Sequence, residues 1–484
     1  MTLTVAVTGN AGPKASARHP GIGRSHNIAL MGELDHTDPA LTNETIELLQ
    51  QLIRNACVND GTVESGEEVR NSDLLETFLE GAGVDVESFE SEPGRRSLVA
   101  RLSGTDPAAP KLCLMGHTDV VPVNPDGWSR DPFGGELVDG EVWGRGAVDM
   151  LNLTSSMAVA FRHIVRSGYR PRGDVIYFGV ADEEAGGTYG AKWMAEHHWD
   201  AIECDYVLTE FGGMPNHTPQ GTKITLAAGE KGIGWRRLTV RGTPGHGSMP
   251  FGTDNALIKA AEIVRRIAEY RPAPQLTEMW QHHVSTLRVD DETREALLDP
   301  ARVYDAVAGI DSPGLARHLH ACSHTTFSPN VVGGGNKTNI IPDKVEIEVD
   351  IRTAPGDPVE VNEHLRAALG ELFDEVEIEH LHDDPASSSP TNTPMWQLLS
   401  ELVAKAHPGA PVIPQLIVGA TDARFFRLKG AVAYGAGLFS NRVNSNDFML
   451  RFHGNDERVD VDSLALSTQL WIDVIRNLGD VANR

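Results

Sequence analysis

The 484-residue chain has little cysteine: Cys57, Cys113, Cys204 and Cys322 are widely spaced and form no Cys-x-x-Cys pair. That scarcity excludes a disulfide-stapled scaffold and cysteine-rich closed zinc coordination, and it fits a reducing compartment, the cytoplasm. Positive charge is also short. Against 68 Asp and Glu stand 42 Lys and Arg, a net charge of -26. Such a balance argues against nucleic acid and anionic membrane surfaces as partners, since both want basic patches. No apolar run approaches the length of a membrane span, and LTVAV near the start is shorter than a secretory apolar segment. Residues 1–35, rich in Gly, Ala, Ser, Pro and His, lack periodicity and read as a loose extension, with Met31 an alternative start.

What is present is a hydrophobic content of 40% spread over more residues than one core usually holds, so two domains are expected. The most informative stretch runs from Lys111 to Glu210. KLCLMG leads into His117-Thr118-Asp119, DVIYFGVA into Asp182-Glu183-Glu184, and DYVLT into Glu210. Short runs of this composition, bounded by Gly or Asp, read as buried strands. Ligands of open α/β sheets bind beyond the carboxyl ends of such strands. If the three runs are neighbours, a histidine and several carboxylates share one rim, and that crowding of like charge calls for a cation. Two zinc ions sharing Asp149, which the loop WGRGAVDM delivers, would satisfy it.

Taken in order, TNETIELLQQLIRNA reads as a helix capped by Asn43 or Thr42, and SGEEVRNSDLLETFLEGAG as a second. Asp139-Gly140 marks a tight hairpin, after which Asp149 either caps a helix or binds metal. Beyond Lys231, alternating strands and a helix capped by Asp254 give a strand-helix-strand-strand-helix-strand order, the split βαβ arrangement. Residues 274–329 exceed that unit and read as an insertion. DFMLRF reads as one more strand, ending at His453. The fold expected is α/β: a discontinuous, mixed-sheet, zinc-exopeptidase-like catalytic domain (36–230 and 390–484) with an inserted ferredoxin-like α+β lid or dimerisation domain (231–389).

Each signal has an ordinary reading when taken singly. His117 could be a hydrogen-bonded strand-end histidine, Asp149 a helix cap, Glu183 and Glu184 solvated charge, Glu210 a surface carboxylate, and His453 a loop histidine. Five separate strand-end placements carry more weight than any one of them.

The stretches MGHTDVVP, WGRGAVDM, ADEEAGG, LTEFGG, VRGTPGHGSMP, TNIIPDKVEIEVDIR, GATDARF and HGNDERV resemble the di-zinc aminoacylase, carboxypeptidase G and succinyl-diaminopimelate desuccinylase family of metallopeptidases and amidohydrolases. The resemblance implies His117, Asp149, Glu184, Glu210 and His453 as zinc ligands. Asp149 would bridge the ions, His117 and Glu210 completing one and Glu184 and His453 the other; Co2+ or Mn2+ could replace zinc. It implies Glu183 as general acid/base, Asp119 as the group orienting His117, and His246 as oxyanion stabiliser, supplied by the partner subunit in dimeric members. Asn339, Arg352, Gly419, Thr421 and Arg424 would hold the substrate's carboxylate and backbone. The chain departs from the family at Asn152, where many members carry Lys, and at Gly419-Ala420, where two glycines are common.

The reaction expected is hydrolysis of an amide or peptide bond in a small substrate with a free carboxylate, a peptide or N-acyl amino acid, by metal-activated water with Glu183 moving the proton. An exposed outward arginine is the ordinary reading of Arg352. Two other functions are open: a non-catalytic metal-binding scaffold, which would have no use for Glu183, and a di-zinc aminopeptidase, which would anchor a free amine. A homodimer through the inserted domain is also expected.

Overall fold

The runs LCLMGH, VIYFGV and YVLT become neighbouring parallel strands, Leu112–His117, Val175–Val180 and Tyr206–Thr209, in the computed structural model. Every residue of the first two strands is buried, as a parallel sheet covered on both faces requires. The structure describes residues 37–81, 83–218, 221–442 and 445–481. They belong to one contact unit, His36–Arg484; the extension expected over 1–35 lies outside them. Parallel pairing continues from Tyr206–Thr209 to Val432–Gly435. On the other side, Arg96–Leu102 and Asp85–Glu90 add antiparallel strands. With Gly221–Glu230 and its partners, the described residues form a ten-stranded mixed sheet.

Alternate residues of each central strand feed two cores, because successive side chains in a strand point to opposite faces. Leu112, Leu114, Val175 and Tyr177 meet Leu49, Met157, Phe161 and Trp471, from helices Pro39–Arg54, Leu151–Arg166 and Val461–Val481. Cys113, Met115, Ile176 and Phe178 meet Met194 and Phe426, from helices Ala191–His197 and Ala423–Leu428. All four cysteines are buried and unpaired.

A second sheet takes the strands Gly232–Arg241, Thr326–Gly334, Lys344–Thr353 and Val376–Asp384. Its spatial order places the Lys344 strand between the Thr326 and Gly232 strands and the Val376 strand outermost, all antiparallel. Helices Ala256–Glu269 and Val361–Leu369 pack Ile263 and Leu365 onto Leu238, Val240 and Ile347. The chain leaves the large sheet after Glu230 and returns at Ser387, and these two residues pair with each other.

Of the stretch 274–329, read from sequence as an insertion, Thr326–Pro329 enter the second sheet, but the helices before them pack elsewhere. Its helices between Glu278 and Ser323 send Trp280, Val284, Leu297, Val307 and Leu319 into the large sheet's core. Helix Glu278–Thr286 lies on the strand Val412–Ile417 and so covers a margin where Ile224, Leu226 and Leu416 would otherwise meet water. Trp280 is 2% exposed, and its Nε1 donates to the Leu297 carbonyl at 2.9 Å.

Three local expectations change. The first helix starts at Pro39, and the Asp38 carboxylate accepts from the Ala40 amide, so Thr42 and Asn43 lie inside the helix; Pro at the first turn with Asp before it is the stronger start signal. Asn255, not Asp254, caps helix Ala256–Glu269, while Asp254 pairs with Lys259. The run DFMLRF is not a strand: its first five residues lie in helix Ser445–Arg451, and Phe452 follows directly on the helix end. Phe448 and Phe452 lie four residues apart, so one helical turn carries their rings toward Phe439 and Phe211. The hairpin holds: Asp139 and Gly140 both take left-handed backbone, with φ of 52° and 78°, between Glu136–Val138 and Glu141–Trp143.

Candidate metal centre

The strand carrying His117 lies beside those leading to Glu183 and Glu210, so all three arrive at one carboxyl-end rim. His117 is 1% exposed, and its Nδ1 lies 3.0 Å from the Asp119 carbonyl oxygen. A carbonyl only accepts, so Nδ1 carries a proton, and Nε2, which faces the Asp149 carboxylate, is the nitrogen that would turn its lone pair to a metal. The Asp119 carboxylate is farther from Nδ1, at 3.5 Å. It accepts instead from the Glu183 and Glu184 amides, at 3.3 and 3.1 Å, and from Asn59 at 2.9 Å. Asp119 thus fixes the His117 ring mainly through its backbone and the glutamate loop through its side chain.

That loop is a 3-10 turn, Glu183–Ala185, flanked by left-handed Asp182 and Gly186. Asp182 is anchored by the Tyr189 amide at 2.7 Å and by Arg95 at 2.6 Å. Arg95 in turn forms a fork on Glu68, at 2.8 and 2.9 Å, with both side chains buried. None of Asn59, Glu68 and Arg95 carries a recognisable sequence signal.

Asp149 does not cap the helix that follows: the helix begins at Leu151, and no side chain caps it. Its carboxylate is free to reach His117 Nε2 at 3.1 Å and His453 Nε2 at 2.8 Å. The loop is held by Glu457, which is fully buried and accepts from the Val148 and Asp149 amides at 2.6 and 3.1 Å. The other oxygen of Glu457 meets Arg145 at 2.7 Å, and Arg145 also donates to the His453 carbonyl at 3.3 Å. One buried ion pair therefore positions two candidate ligands. The motif HGNDERV contains Glu457, but nothing in that polar stretch marks it out in the sequence.

His453 Nε2 lies 3.2 Å from Glu184. Among the described residues, His117, Asp149 and Glu184 bring one donor atom each within 4.8 Å of one another, and so do His117, Glu183 and Glu210. The electrostatics follow from crowding. Burial and nearby carboxylates push Glu183 up to about 8 and Glu184 to about 7, and they hold Glu210 well above the carboxylate range. Burial opposes charge on His117, yet Asp149, Glu210 and Glu183 raise it overall. Burial alone would raise Asp149, but hydrogen bonds from both histidines hold it low. The donor set of imidazole and carboxylate suits a divalent ion. An independent sign agrees: Glu184 Oε1 is a buried acceptor with no hydrogen-bond partner. The residues fit the metal.

The remaining candidates make other contacts. His246 is exposed, and its Nδ1 lies 2.8 Å from the Ser248 hydroxyl. Asn339 stands beside it, its carbonyl accepting from the Gly247 amide at 2.8 Å. Arg352 pairs through Nε with Asp350 at 2.7 Å and lies over the Trp235 ring. Gly419 is half-buried, and Thr421 is buried with its amide on Glu230. Arg424 is 2% exposed and spends donors on Asp384 at 3.0 Å and the Gly186 carbonyl at 2.8 Å, a tie between the glutamate loop and the chain crossing between sheets. Asp422 was not foreseen. It is buried against Gly187, neither carboxylate oxygen has a hydrogen-bond partner, and burial and Glu183 raise it well above the usual range.

Comparison with known proteins bears directly on this arrangement. Residues 113–477 match the model of "Peptidase family M20/M25/M40". An N-fatty-acyl-amino acid synthase/hydrolase of Xenopus tropicalis is 29% identical over 94% of this chain and 89% of its own length. Aminoacylase-1 of Mus musculus is 25% identical over 92% of this chain and 97% of its own. Among solved structures, an M20 family metallo-carboxypeptidase from Sulfolobus solfataricus superposes with a TM-score of 0.67 at 18% identity, covering 92% of this chain and all of that one.

Proposed function

Since the chain belongs to peptidase family M20/M25/M40 and is a hydrolytic enzyme, we propose that it cleaves an amide or peptide bond in a small substrate with a free carboxylate, either a C-terminal peptide bond or an N-acyl amino acid. The observation that carries this reading is the convergence of His117, Asp149, Glu184 and His453, with Glu183 and Glu210 in the same buried cluster. Asp149 would bridge two zinc ions, His117 and Glu210 holding one, Glu184 and His453 the other. A divalent ion there supplies Lewis acidity, lowering the pKa of a coordinated water from about 15.7 toward ~7.

Glu183 takes the water's proton on its carboxylate and returns it to the departing nitrogen. The Asp119 carboxylate, by accepting both glutamate amides, keeps Glu183 and Glu184 in fixed relation during that exchange. Arg352 is read as the anchor for the substrate carboxylate, because a guanidinium binds carboxylates in a fork. Asn339, Gly419 and Thr421 are read as backbone contacts, whereas Arg424 is better suited to hold the glutamate loop. His246 is read as an oxyanion donor supplied across a homodimer. In support, Met249 and Phe251, three and five residues after it in the chain, are 68% and 101% exposed. A cytoplasmic setting accords with four buried, unpaired cysteines.

The test is Glu183→Gln. Hydrolysis of N-acyl amino acids and dipeptides should fall by at least about 100-fold, the scale of general acid–base catalysis, with metal content retained. Unchanged rates would refute the assignment. Hydrolysis of amino-blocked substrates would exclude an aminopeptidase as the sole activity.

A further inference from the structure

We propose that Asp384 and His382 are positioning residues through which the substrate's carboxylate, held on Arg352, sets the place of Glu183, so that this carboxylate governs kcat as well as KM. The inference rests on the reading of Arg352 as the carboxylate anchor. Arg352 and Asp384 belong to one rung of the second sheet, because Ile233 pairs with Arg352 on one side and with Asp384 on the other. Two strand spacings separate them, roughly 10 Å, and the hydrogen-bonded ladder between leaves little freedom. Helices Ala256–Glu269 and Val361–Leu369 cover the face that carries Leu238, Val349 and Ile351. Asp350 and Arg352 alternate with those residues along their strand and so take the opposite, helix-free face.

From Asp384 the connection to the metal centre is short. One oxygen, Oδ2, accepts from Arg424 Nε at 3.0 Å and meets His382 Nε2 at 2.7 Å. The same guanidinium donates through Nη2 to the Gly186 carbonyl at 2.8 Å, and the Gly186 amide donates to the Glu183 carbonyl at 2.8 Å. Arg424 is buried, so no water replaces Asp384 if that carboxylate shifts. His382 braces the same turn: a Cβ placed on Gly186 would lie 3.7 Å from its Cε1. Its ring also meets that of Trp235 at 5.8 Å, and Trp235 lies under the Arg352 guanidinium at 5.4 Å. Trp235 Nε1 and Arg352 Nε both donate to Asp350 Oδ1, each at 2.7 Å. Anchor and glutamate turn are thus tied twice, through the backbone rung and through the side chains beside it. A carboxylate seated on Arg352 fixes Asp384, then Arg424, then the turn that carries Glu183. A substrate without that group forfeits binding energy remote from the scissile bond, and such a loss shows in kcat.

The experiment compares the parent enzyme's best N-acyl amino acid or dipeptide with the analogue lacking only its carboxylate, by KM and by single-turnover rate at saturation, which isolates the chemical step. In the parent, removing the carboxylate should slow that rate by at least about tenfold, the scale of coupling between linked sites, besides raising KM. Asp384→Asn should bring the rate ratio of the two substrates toward one by slowing the carboxylate substrate, while KM still registers the Arg352 contact. His382→Gln leaves the Asp384–Arg424 pair intact at a partly exposed site, so it keeps the test open if Asp384→Asn fails to fold, and it should narrow the ratio in part. A merely structural role would slow both substrates alike and leave the ratio unmoved. A carboxylate effect confined to KM in the parent, or an unchanged ratio in both variants with metal content verified, would overturn the inference. Arg352→Gln separates that failure from one of the underlying reading. Undiminished discrimination in Arg352→Gln, or no hydrolysis of any amide by the parent, would remove the reading and this inference with it. Lost discrimination there, with the ratio unmoved in Asp384→Asn and His382→Gln, would sink the coupling alone.

Discussion

Glu457 provides the sharpest test of how the centre is built. Its Oε1 accepts two backbone amides of the Asp149 loop, and its Oε2 accepts from Arg145. In Glu457→Gln the amide carbonyl can keep the two backbone donors, but the NH2 then faces a guanidinium that is 3% exposed. Breaking a buried pair in this way costs about 3–5 kcal/mol, mostly from the unpaired charge left behind. The supporting shell of a metal ligand also sets affinity, typically by about 10–100-fold. Denaturant unfolding should register the first effect, and a chelator competition titration the second. Replacing both partners, Arg145→Met with Glu457→Leu, separates the two. Stability should largely recover, since no charge is stranded, while metal affinity stays low because the Val148 and Asp149 amides have lost their acceptor. An Arg145→Met/Glu457→Leu protein with metal affinity within about twofold of the parent, well short of the support-shell effect, would refute the argument.

The titration of the cluster has a definite sign. In the metal-free protein, Glu183 at about 8 and Glu184 at about 7 lie above their ordinary 4.5, so the folded state binds more protons than the unfolded one. Stability of that form should fall as pH rises from 4.5 to about 8. His453, raised from 6.5 to about 10 by Asp149 and Glu184, contributes stability that is full below 6.5 and lost as pH rises through about 10. Metal must displace these protons, so its affinity should climb between pH 5 and 8 with proton release visible calorimetrically; a flat affinity over that range would contradict the cluster's protonation. Trp280→Ala should destabilise the protein by about 3–5 kcal/mol in denaturant unfolding, through the cavity and the orphaned Leu297 carbonyl. A loss below about 1 kcal/mol, far short of an ordinary core deletion, would mean that helices 278–323 are not anchored in the main core.

The sequence by itself determined the strands and the residues at their ends. An apolar run followed by His117, Glu183-Glu184 or Glu210 is a local pattern, and a parallel strand buried on both faces has few other ways to be written. The Asp139-Gly140 turn and the split βαβ order of the second sheet were legible for the same reason: each is encoded within a few residues or by simple periodicity. Tertiary structure decided the rest. Whether MLRF is strand or helix depends on the rings of Phe439 and Phe211, which are distant in sequence. Whether residues 278–323 serve the small sheet or the large one depends on which margin lacks a cover. Glu457, Arg145, Asn59 and Arg95 look like ordinary polar residues until burial removes water. Only then does each hydrogen bond have to be made within the protein, and only the fold determines with what.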